Sequence, residues 1–204
     1  MDQDLTFRPV LVAGVLAVVL VIGYHRVKAG TREPLDRRQE GPFILWTLRP
    51  AGLMLWLATI AYMINPAWMA WSSIAILPWL RWTGAGVCAV AVVLLFWTLR
   101  SLGKNLTDTV VTRREHTLVT RGPYRWVRHP FYGCFALLIA GNALVAANWF
   151  VLVTGTVVLL LLVVRTRKEE ENLLVRFGEP YRAYRMRTGR FVPSLRGMSG
   201  RHPS

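Results

Sequence analysis

The sequence is poor in cysteine, in acidic residues and in charge overall, and each shortage excludes a class of protein. Two cysteines occur, Cys88 and Cys134, both in apolar segments and neither in a CxxC pair, so no metal or redox motif is indicated. Charged residues make up 18% of the chain, whereas about a quarter is usual in soluble domains. The low charged fraction therefore argues against an ordinary soluble domain. The start MDQDLTF is acidic where a signal peptide would be basic, so we expect no signal peptide.

Long apolar runs fill most of the chain and predict an all-α, polytopic membrane protein. Each run approaches the ~20 residues that a helix needs to cross the hydrocarbon layer. The five predicted transmembrane helices cover roughly residues 9–25, 43–64, 78–99, 131–147 and 149–165. The turn between the last two is marked by Asn148, alone or together with Asn142, which predicts a tight helical hairpin.

The stretch between the second and third predicted helices is apolar but interrupted. It runs from Asn65 to Trp79 and contains Pro66 and Pro78. Four tryptophans lie in or next to it, as in the aromatic belts of membrane proteins. They are Trp68, Trp71, Trp79 and Trp82. We therefore expect this stretch to lie at the membrane interface.

The positive charge is concentrated in three places. All but two of the 25 lysines and arginines fall in residues 26–49, in residues 100–128, or from Arg165 onward; the exceptions are Arg8 and Arg81. With five spans these stretches face one side, so the positive-inside rule predicts an outside N-terminus and a cytoplasmic C-terminus. We expect the inner (plasma) membrane of a prokaryote. Topology and attraction to anionic lipid account for the net charge of +14, so nucleic-acid binding is not expected.

One glycine-rich stretch imitates a nucleotide-binding motif. GAGVCA, Gly84 to Ala89, matches the dinucleotide pattern G-x-G-x-x-A. That pattern requires a strand before it and a helix N-terminus that opens onto phosphate. Here both glycines lie inside a predicted transmembrane helix, which favours close packing of helices instead.

The stretch GPYRWVRHPFYG, residues 122–133, carries more polar groups than a membrane anchor needs. Pro130 suits the first turn of a helix, where its missing N–H costs nothing, so His129 is predicted near the N-cap. The free N–H groups of that first turn would attract an anion at the membrane surface. Arg125 and Arg128 add positive charge beside it.

The other end of the predicted hairpin is also charged, and the two ends should meet. After Val164 the helix can continue through Arg165, Glu169 and Glu170. Ionisable groups within the hydrocarbon are costly, by about 2.5–3.5 kcal/mol each at a helix centre on insertion scales, so several of both signs beside the apolar runs indicate a pocket. Taken singly, these residues could also be a stop-transfer anchor, a solvated helix start and a helix cap.

The combined pattern resembles the isoprenylcysteine carboxyl methyltransferase family, which is related to the membrane phospholipid N-methyltransferases. The resemblance lies in LVTRGPYRWVRHPFYG, a hairpin, and then R-x(4)-E-x(7)-G-x-x-Y-x-x-Y. The matching positions are Arg165, Glu170, Gly178, Tyr181 and Tyr184. The resemblance covers about residues 101–193. Together with the apolar runs and the small, polar, basic composition of the last residues, it predicts three N-terminal helices in residues 1–100, a methyltransferase core in 101–193 and a disordered tail in 194–204.

The resemblance implies methyl transfer from S-adenosylmethionine at the cytoplasmic face. The acceptor would be a lipid-like molecule from the bilayer, either an isoprenylcysteine-type carboxylate or a phospholipid amine, and no metal would be needed. Arg165 and Glu170 are the candidate catalytic residues, and Arg128 is the candidate substrate-binding residue. The candidate cofactor-binding residues are Leu118, Val119, Gly122, Tyr124, His129, Pro130, Tyr132, Glu169, Tyr181 and Tyr184. Because Glu169, Glu170 and Glu171 are adjacent, the register of the acidic pair could shift by one.

Two other functions fit parts of the sequence. A sterol-reductase-like membrane enzyme that uses NADPH would share a distantly similar hairpin and tail, but such enzymes have more spans than five. A non-catalytic membrane scaffold would use the basic face to recruit anionic lipid or a partner. Binding of S-adenosylhomocysteine or of NADPH distinguishes these hypotheses.

Overall fold

The computed structural model describes residues 2–30, 42–103 and 117–194. The predicted disorder of the tail from 195 onward, and several cations of the first two basic stretches, lie outside the described residues. Within them the fold is all-α, as predicted. The α-helices are α1 (Asp2–Ala29), α2 (Pro42–Ile64), α3 (Pro78–Leu102), α4 (Pro130–Ala146), α5 (Trp149–Phe177) and α6 (Glu179–Arg187).

The helices confirm the membrane character that the apolar runs predict. Four of them, α1, α2, α3 and α5, are long and apolar enough to cross a bilayer, and α4 is a shorter apolar helix of 17 residues. The helix α1 begins seven residues before the predicted start at residue 9. This extension is held because Asp4 pairs with Arg81 at 2.9 Å and Arg8 Nε donates to the carbonyl of Met63 at 2.7 Å.

The hairpin between α4 and α5 turns at Asn148, as predicted. The Asn148 side chain accepts a hydrogen bond from the Val151 amide at 3.1 Å and so caps α5. Its Nδ2 donates to Ser72 Oγ at 2.8 Å and to the Met69 carbonyl at 3.2 Å, which ties the turn to the segment before α3. Asn142 takes no part in the turn, because it lies inside α4.

The segment between α2 and α3 exposes its aromatic side chains. Residues Pro66–Ser72 form a 3-10 helix, which Asn65 caps by accepting a hydrogen bond from the Ala67 amide. The four tryptophans singled out in the sequence are 53–60% exposed. Exposed indole rings at the end of a helical bundle are typical of a membrane–water interface.

Glycines bring α3 and α4 into close contact. A Cβ added at Gly84 would lie 2.6 Å from Leu144 Cβ and 2.8 Å from the Gly141 carbonyl oxygen. A Cβ at Gly141 would lie 2.5 Å from Cys88 Sγ. The stretch GAGVCA is therefore a packing surface and not a nucleotide loop, and it fixes the position of α4 against α3.

The contact at Gly84 predicts a matched pair of stability effects. Gly84→Ala should lower the free energy of unfolding by about 1–3 kcal/mol, because the added methyl group overpacks the interface with α4. Gly86→Ala is the control, since a Cβ there meets nothing within 4 Å. Thermal unfolding in detergent measures both variants. Equal melting temperatures would contradict this account of the α3–α4 interface.

A buried arginine closes the end of the bundle that contains Asn148. Arg81 on α3 is 4% exposed, and its Nε donates to the Val145 carbonyl of α4 at 2.9 Å. Its Nη2 donates to Asp4 of α1 at 2.9 Å and to the Tyr62 hydroxyl of α2 at 2.8 Å. One of the two cations outside the basic stretches thus links four helices.

Candidate functional site

The start of α4 has the local structure that the sequence predicts. Pro130 lies in the first turn and His129 is the N-cap residue. The His129 side chain does not cap the helix. It is buried, and its Nε2 lies 3.2 Å from Glu170 Oε1 on α5.

The polar end of α5 is an extension of the transmembrane helix, also as predicted. The helix continues past Arg165 to Phe177 and ends at Gly178, whose φ of 56° is a conformation that glycine adopts easily. Because α4 and α5 form a tight hairpin, this extension returns Glu169 and Glu170 to the start of α4. The two ends of the hairpin therefore meet at one end of the bundle.

Glu170 is surrounded by basic side chains in what we call the Glu170 cluster, which consists of Arg128, His129, Glu170 and Arg190. Arg128 Nε donates to Glu170 Oε1 at 2.9 Å. Arg190 Nη2 donates to Glu170 Oε2 at 2.7 Å, and its Nε donates to Oε1 at 3.2 Å. The Glu170 side chain is only 4% exposed. A carboxylate buried to this extent requires such partners.

The two arginines of the Glu170 cluster hold different parts of the chain. Besides Glu170, Arg128 donates through Nη1 to the carbonyl groups of Arg185 and Thr188, at the end of α6. The hydrogen bond to Glu170 raises the pKa of Arg190. Arg190 remains 32% exposed, so part of its guanidinium group reaches solvent.

Arg190 reaches the cluster because the chain after α6 pairs with the segment before α4. The Arg128 amide donates to the Gly189 carbonyl at 2.9 Å, and the His129 amide donates to the Arg190 carbonyl at 3.1 Å. The Gly189 amide donates back to the Trp126 carbonyl at 3.2 Å. Glycine is required at this point, since a Cβ on Gly189 would lie 1.7 Å from the Val192 carbonyl oxygen.

Glu169 lies beside the Glu170 cluster but is more open. The Tyr132 hydroxyl donates to Glu169 Oε2 at 3.3 Å, and His129 Nδ1 lies 3.9 Å from the same oxygen. The Glu169 side chain is 35% exposed. The carboxylate of Glu169 is therefore accessible to a ligand, whereas that of Glu170 is not.

Three tyrosines from two segments adjoin these acids. The Tyr184 hydroxyl donates to the Tyr124 carbonyl at 2.6 Å, and burial raises the pKa of Tyr184 to about 12. Burial also raises the pKa of Tyr124, and the nearby Glu169 raises it further. Tyr181 is 1% exposed, and its hydroxyl has no hydrogen-bond partner within the described ranges. Burial raises its pKa as well, so Tyr181 keeps a proton to donate.

The segment before α4 packs against the end of α3. Leu118 and Val119 are half-buried in an extended stretch, which leads into a 3-10 helix at Gly122–Arg125. Gly122 has a φ of 61°, and a Cβ there would lie 2.2 Å from Ser101 Oγ at the end of α3. Only glycine fits this backbone position.

The structure thus brings together part of the predicted site. Arg128, His129, Tyr132, Glu169 and Glu170 are in mutual contact. Arg165 lies one helical turn before Glu169, is half-buried and interacts electrostatically with Tyr132. Sequence reasoning missed Arg190, because no spacing pattern connects the GRFVP segment to the hairpin.

Comparison with known proteins identifies the family that this chain resembles. Residues 84–175 match the isoprenylcysteine carboxyl methyltransferase (ICMT) family. The protein-S-isoprenylcysteine O-methyltransferase of Mus musculus is 30% identical over 131 residues, which are 63% of this chain and 46% of that protein. The methanethiol S-methyltransferase of Pseudomonas deceptionensis is 31% identical over 129 residues, 62% and 48% of the two chains. The predicted resemblance is confirmed, although the chain spans about half the length of these relatives.

A solved structure shares the fold. The eukaryotic intramembrane Ras methyltransferase ICMT superposes with a TM-score of 0.51 and 19% sequence identity, and covers 92% of this chain and 74% of that one. At this identity the likeness concerns the fold alone. It confirms the all-α membrane fold.

Proposed function

We propose that this chain, whose residues 84–175 match the isoprenylcysteine carboxyl methyltransferase family, is an integral-membrane methyltransferase that uses S-adenosylmethionine. One observation carries the proposal. The start of α4 and the end of α5 meet in a cluster of buried and half-exposed ionisable groups at one end of an otherwise apolar bundle. Buried ionisable groups of this kind are costly, and they cluster at functional sites. We propose that this end faces the cytoplasm, in the inner membrane of a prokaryote.

The residues at this end suit the chemical groups of S-adenosylmethionine. An accessible carboxylate can bind its amino, sulfonium or ribose hydroxyl groups, and Glu169 offers such a carboxylate. The buried Tyr181 hydroxyl lacks a hydrogen-bond partner in the described part of the chain and can donate to the ligand once binding displaces the side chains that cover it. Gly122 supports the site indirectly, since its lack of a side chain lets this segment pack against Ser101 at the end of α3. Leu118, Val119, Tyr124, His129, Pro130, Tyr132 and Tyr184 complete the proposed cofactor-binding set.

When bound, S-adenosylmethionine supplies an electrophilic methyl group. The protein then has to position the acceptor and exclude water, and positioning alone can contribute about 7–11 kcal/mol to lowering the barrier. We assign the orientation of the acceptor to Arg165, whose guanidinium group can hold a carboxylate through two hydrogen bonds. Glu170 acts through other residues, because its oxygens are engaged by Arg128 and Arg190.

The acceptor that we propose is a lipid-like carboxylate. The relatives transfer to different atoms: one is an O-methyltransferase and another an S-methyltransferase, so similarity alone does not select the acceptor. The charges at the site favour an anion, since Arg165 and the partly exposed Arg190 adjoin it. A cationic amine, as in a phospholipid, would be repelled by the same side chains.

Calorimetry on the protein in detergent tests the proposed cofactor. S-adenosylhomocysteine should bind and NADPH should not. Tyr181→Phe should weaken S-adenosylhomocysteine binding about fivefold to tenfold, as expected for one hydrogen bond. The same variant should not lower the melting temperature, because Tyr181 donates no hydrogen bond to the described chain.

Tyr184→Phe is the comparison for the melting temperature only, because Tyr184 belongs to the proposed cofactor-binding set. It removes the 2.6 Å hydrogen bond to the Tyr124 carbonyl and should lower the melting temperature. Binding of NADPH alone would support a reductase instead, and binding of neither ligand would support a scaffold. Unchanged affinity in Tyr181→Phe would remove this hydroxyl from the cofactor site.

A further inference from the structure

A cavity lies between transmembrane helices, away from the Glu170 cluster. Its volume is about 360 Å³, and α1, α3 and α4 form its walls. The walls are made of small and aliphatic side chains with one amide among them; they include Val10, Gly14, Ala17, Ala89, Val92 and Asn142. None of the residues that line it carries a charge.

The cavity belongs to the opposite half of the bundle from the candidate methyltransferase site. Asn142 follows His129 by thirteen residues along α4, which corresponds to roughly 20 Å at the helical rise of about 1.5 Å per residue. The hairpin turn at Asn148 is six residues further, or roughly 9 Å. In a hydrocarbon layer about 30 Å thick, Asn142 therefore lies in the half of the bilayer that is nearer to Asn148. We call this half the far leaflet.

Asn142 is the polar group of this cavity that has an unused donor. Its Oδ1 accepts a hydrogen bond from Cys88 Sγ at 3.5 Å. Its Nδ2 makes no hydrogen bond within residues 2–30, 42–103 and 117–194, and the side chain lines the cavity. An unsatisfied amide inside a bilayer is costly, so a ligand with an acceptor oxygen would be stabilised there.

We propose that this cavity binds one acyl chain of a far-leaflet phospholipid, whose ester carbonyl accepts a hydrogen bond from Asn142 Nδ2. The uncharged walls suit a hydrocarbon chain and exclude a head group. Since all three walls are apolar membrane helices, bilayer components are the molecules that reach it. A helix of a second protein is the competing occupant, and cross-linking between two chains would reveal it.

Photo-crosslinking in vesicles tests the site. The full chain is reconstituted into phosphatidylcholine vesicles that contain a phosphatidylcholine with a diazirine on one acyl chain, and labelled peptides are mapped by mass spectrometry. We expect residues 10–17 and 85–92 to be labelled at least about fivefold more than the lipid-facing residues of α2. Uniform labelling of all helices would overturn the proposal, and so would cross-linking between two chains at these residues without lipid adducts.

Two substitutions on α1 separate filling of the cavity from a general effect on the helix. Gly14→Leu projects a side chain into the cavity, since a Cβ there meets nothing within 4 Å, and should abolish the excess labelling. Gly23→Leu is the control on the same helix; its Cβ also meets nothing within 4 Å, and Gly23 does not line the cavity. Excess labelling that survives in Gly14→Leu would overturn the proposal.

A comparison of ester-linked with ether-linked lipid tests the role of Asn142. The wild-type protein should be labelled about threefold to tenfold more by the ester-linked probe, because the ether-linked probe lacks the carbonyl. Asn142→Leu should be labelled equally by both probes while retaining the excess over α2. Equal labelling of the wild-type protein by the two probes would remove the hydrogen bond from the proposal.

Discussion

Glu170→Ala should unfold at a lower temperature than the wild-type protein and should have almost no methyltransferase activity. The substitution leaves Arg128, Arg190 and His129 without the carboxylate that they surround. Removal of one partner from a buried ion pair typically costs about 3–5 kcal/mol. The same change releases the segment that Arg190 anchors beside α4, so the proposed cofactor wall is lost as well.

Two further variants separate charge from shape at this position. Glu170→Gln keeps the size of the side chain and removes its charge, so it should retain more stability than Glu170→Ala but lose turnover through a lower kcat. Glu171→Ala is the control, because the Glu171 side chain is 67% exposed and its ion pair with Lys168 spans 3.7 Å. Such exposed pairs contribute less than about 1 kcal/mol. Thermal unfolding and methyl-transfer assays measure all three, and wild-type stability of Glu170→Ala would refute the proposed positioning role.

Arg165→Ala should reduce kcat by roughly 10²–10³, the usual effect of removing one group that orients or stabilises the reacting atoms. Binding of S-adenosylhomocysteine should change by less than about twofold, because Arg165 is assigned to the acceptor and not to the cofactor. Arg165→Lys should restore only part of the rate, since an ammonium group does not form the two parallel hydrogen bonds of a guanidinium.

Arg167→Ala is the matched control for this prediction. Arg167 is exposed and lies two residues further along the same helix, so the substitution removes an equal charge from the other side of α5. The variants are compared by single-turnover transfer of a labelled methyl group in membranes. If Arg165→Ala and Arg167→Ala are equally active, the orienting role of Arg165 is wrong.

The parts of the fold that follow from local patterns could be predicted from the sequence. Apolar runs of about 20 residues give transmembrane helices, and Pro130 and Asn148 fix the beginning of α4 and the turn after it. The meeting of His129 with Glu170 follows from these, because a tight hairpin returns one helix end to the other. The family resemblance predicts the methyl donor but does not predict the side-chain contacts of the candidate site.

The features that could not be predicted from the sequence depend on contacts between segments that are distant along the chain. Arg190 joins the Glu170 cluster only because the chain turns at Gly178 and again after α6. The sequence of neither turn specifies where the Arg190 side chain will point. The start of α1 before residue 9 depends on Asp4 finding Arg81, 77 residues further along the chain. Asn142 is a candidate turn residue because asparagine is common in turns, but α4 continues through it.

The pairing of Trp126–His129 with Gly189–Arg190 also sets an order of events during synthesis. The two paired segments are separated in the sequence by α4, α5 and α6. Glu170 therefore reaches the membrane border before Arg190 has left the ribosome. During that interval Arg128 and His129 are its available partners within the cluster. Completion of the cluster therefore comes last in biogenesis, after the hairpin has been inserted, and a nascent chain that stalls before Gly189 holds an inserted hairpin without the Arg190 contact.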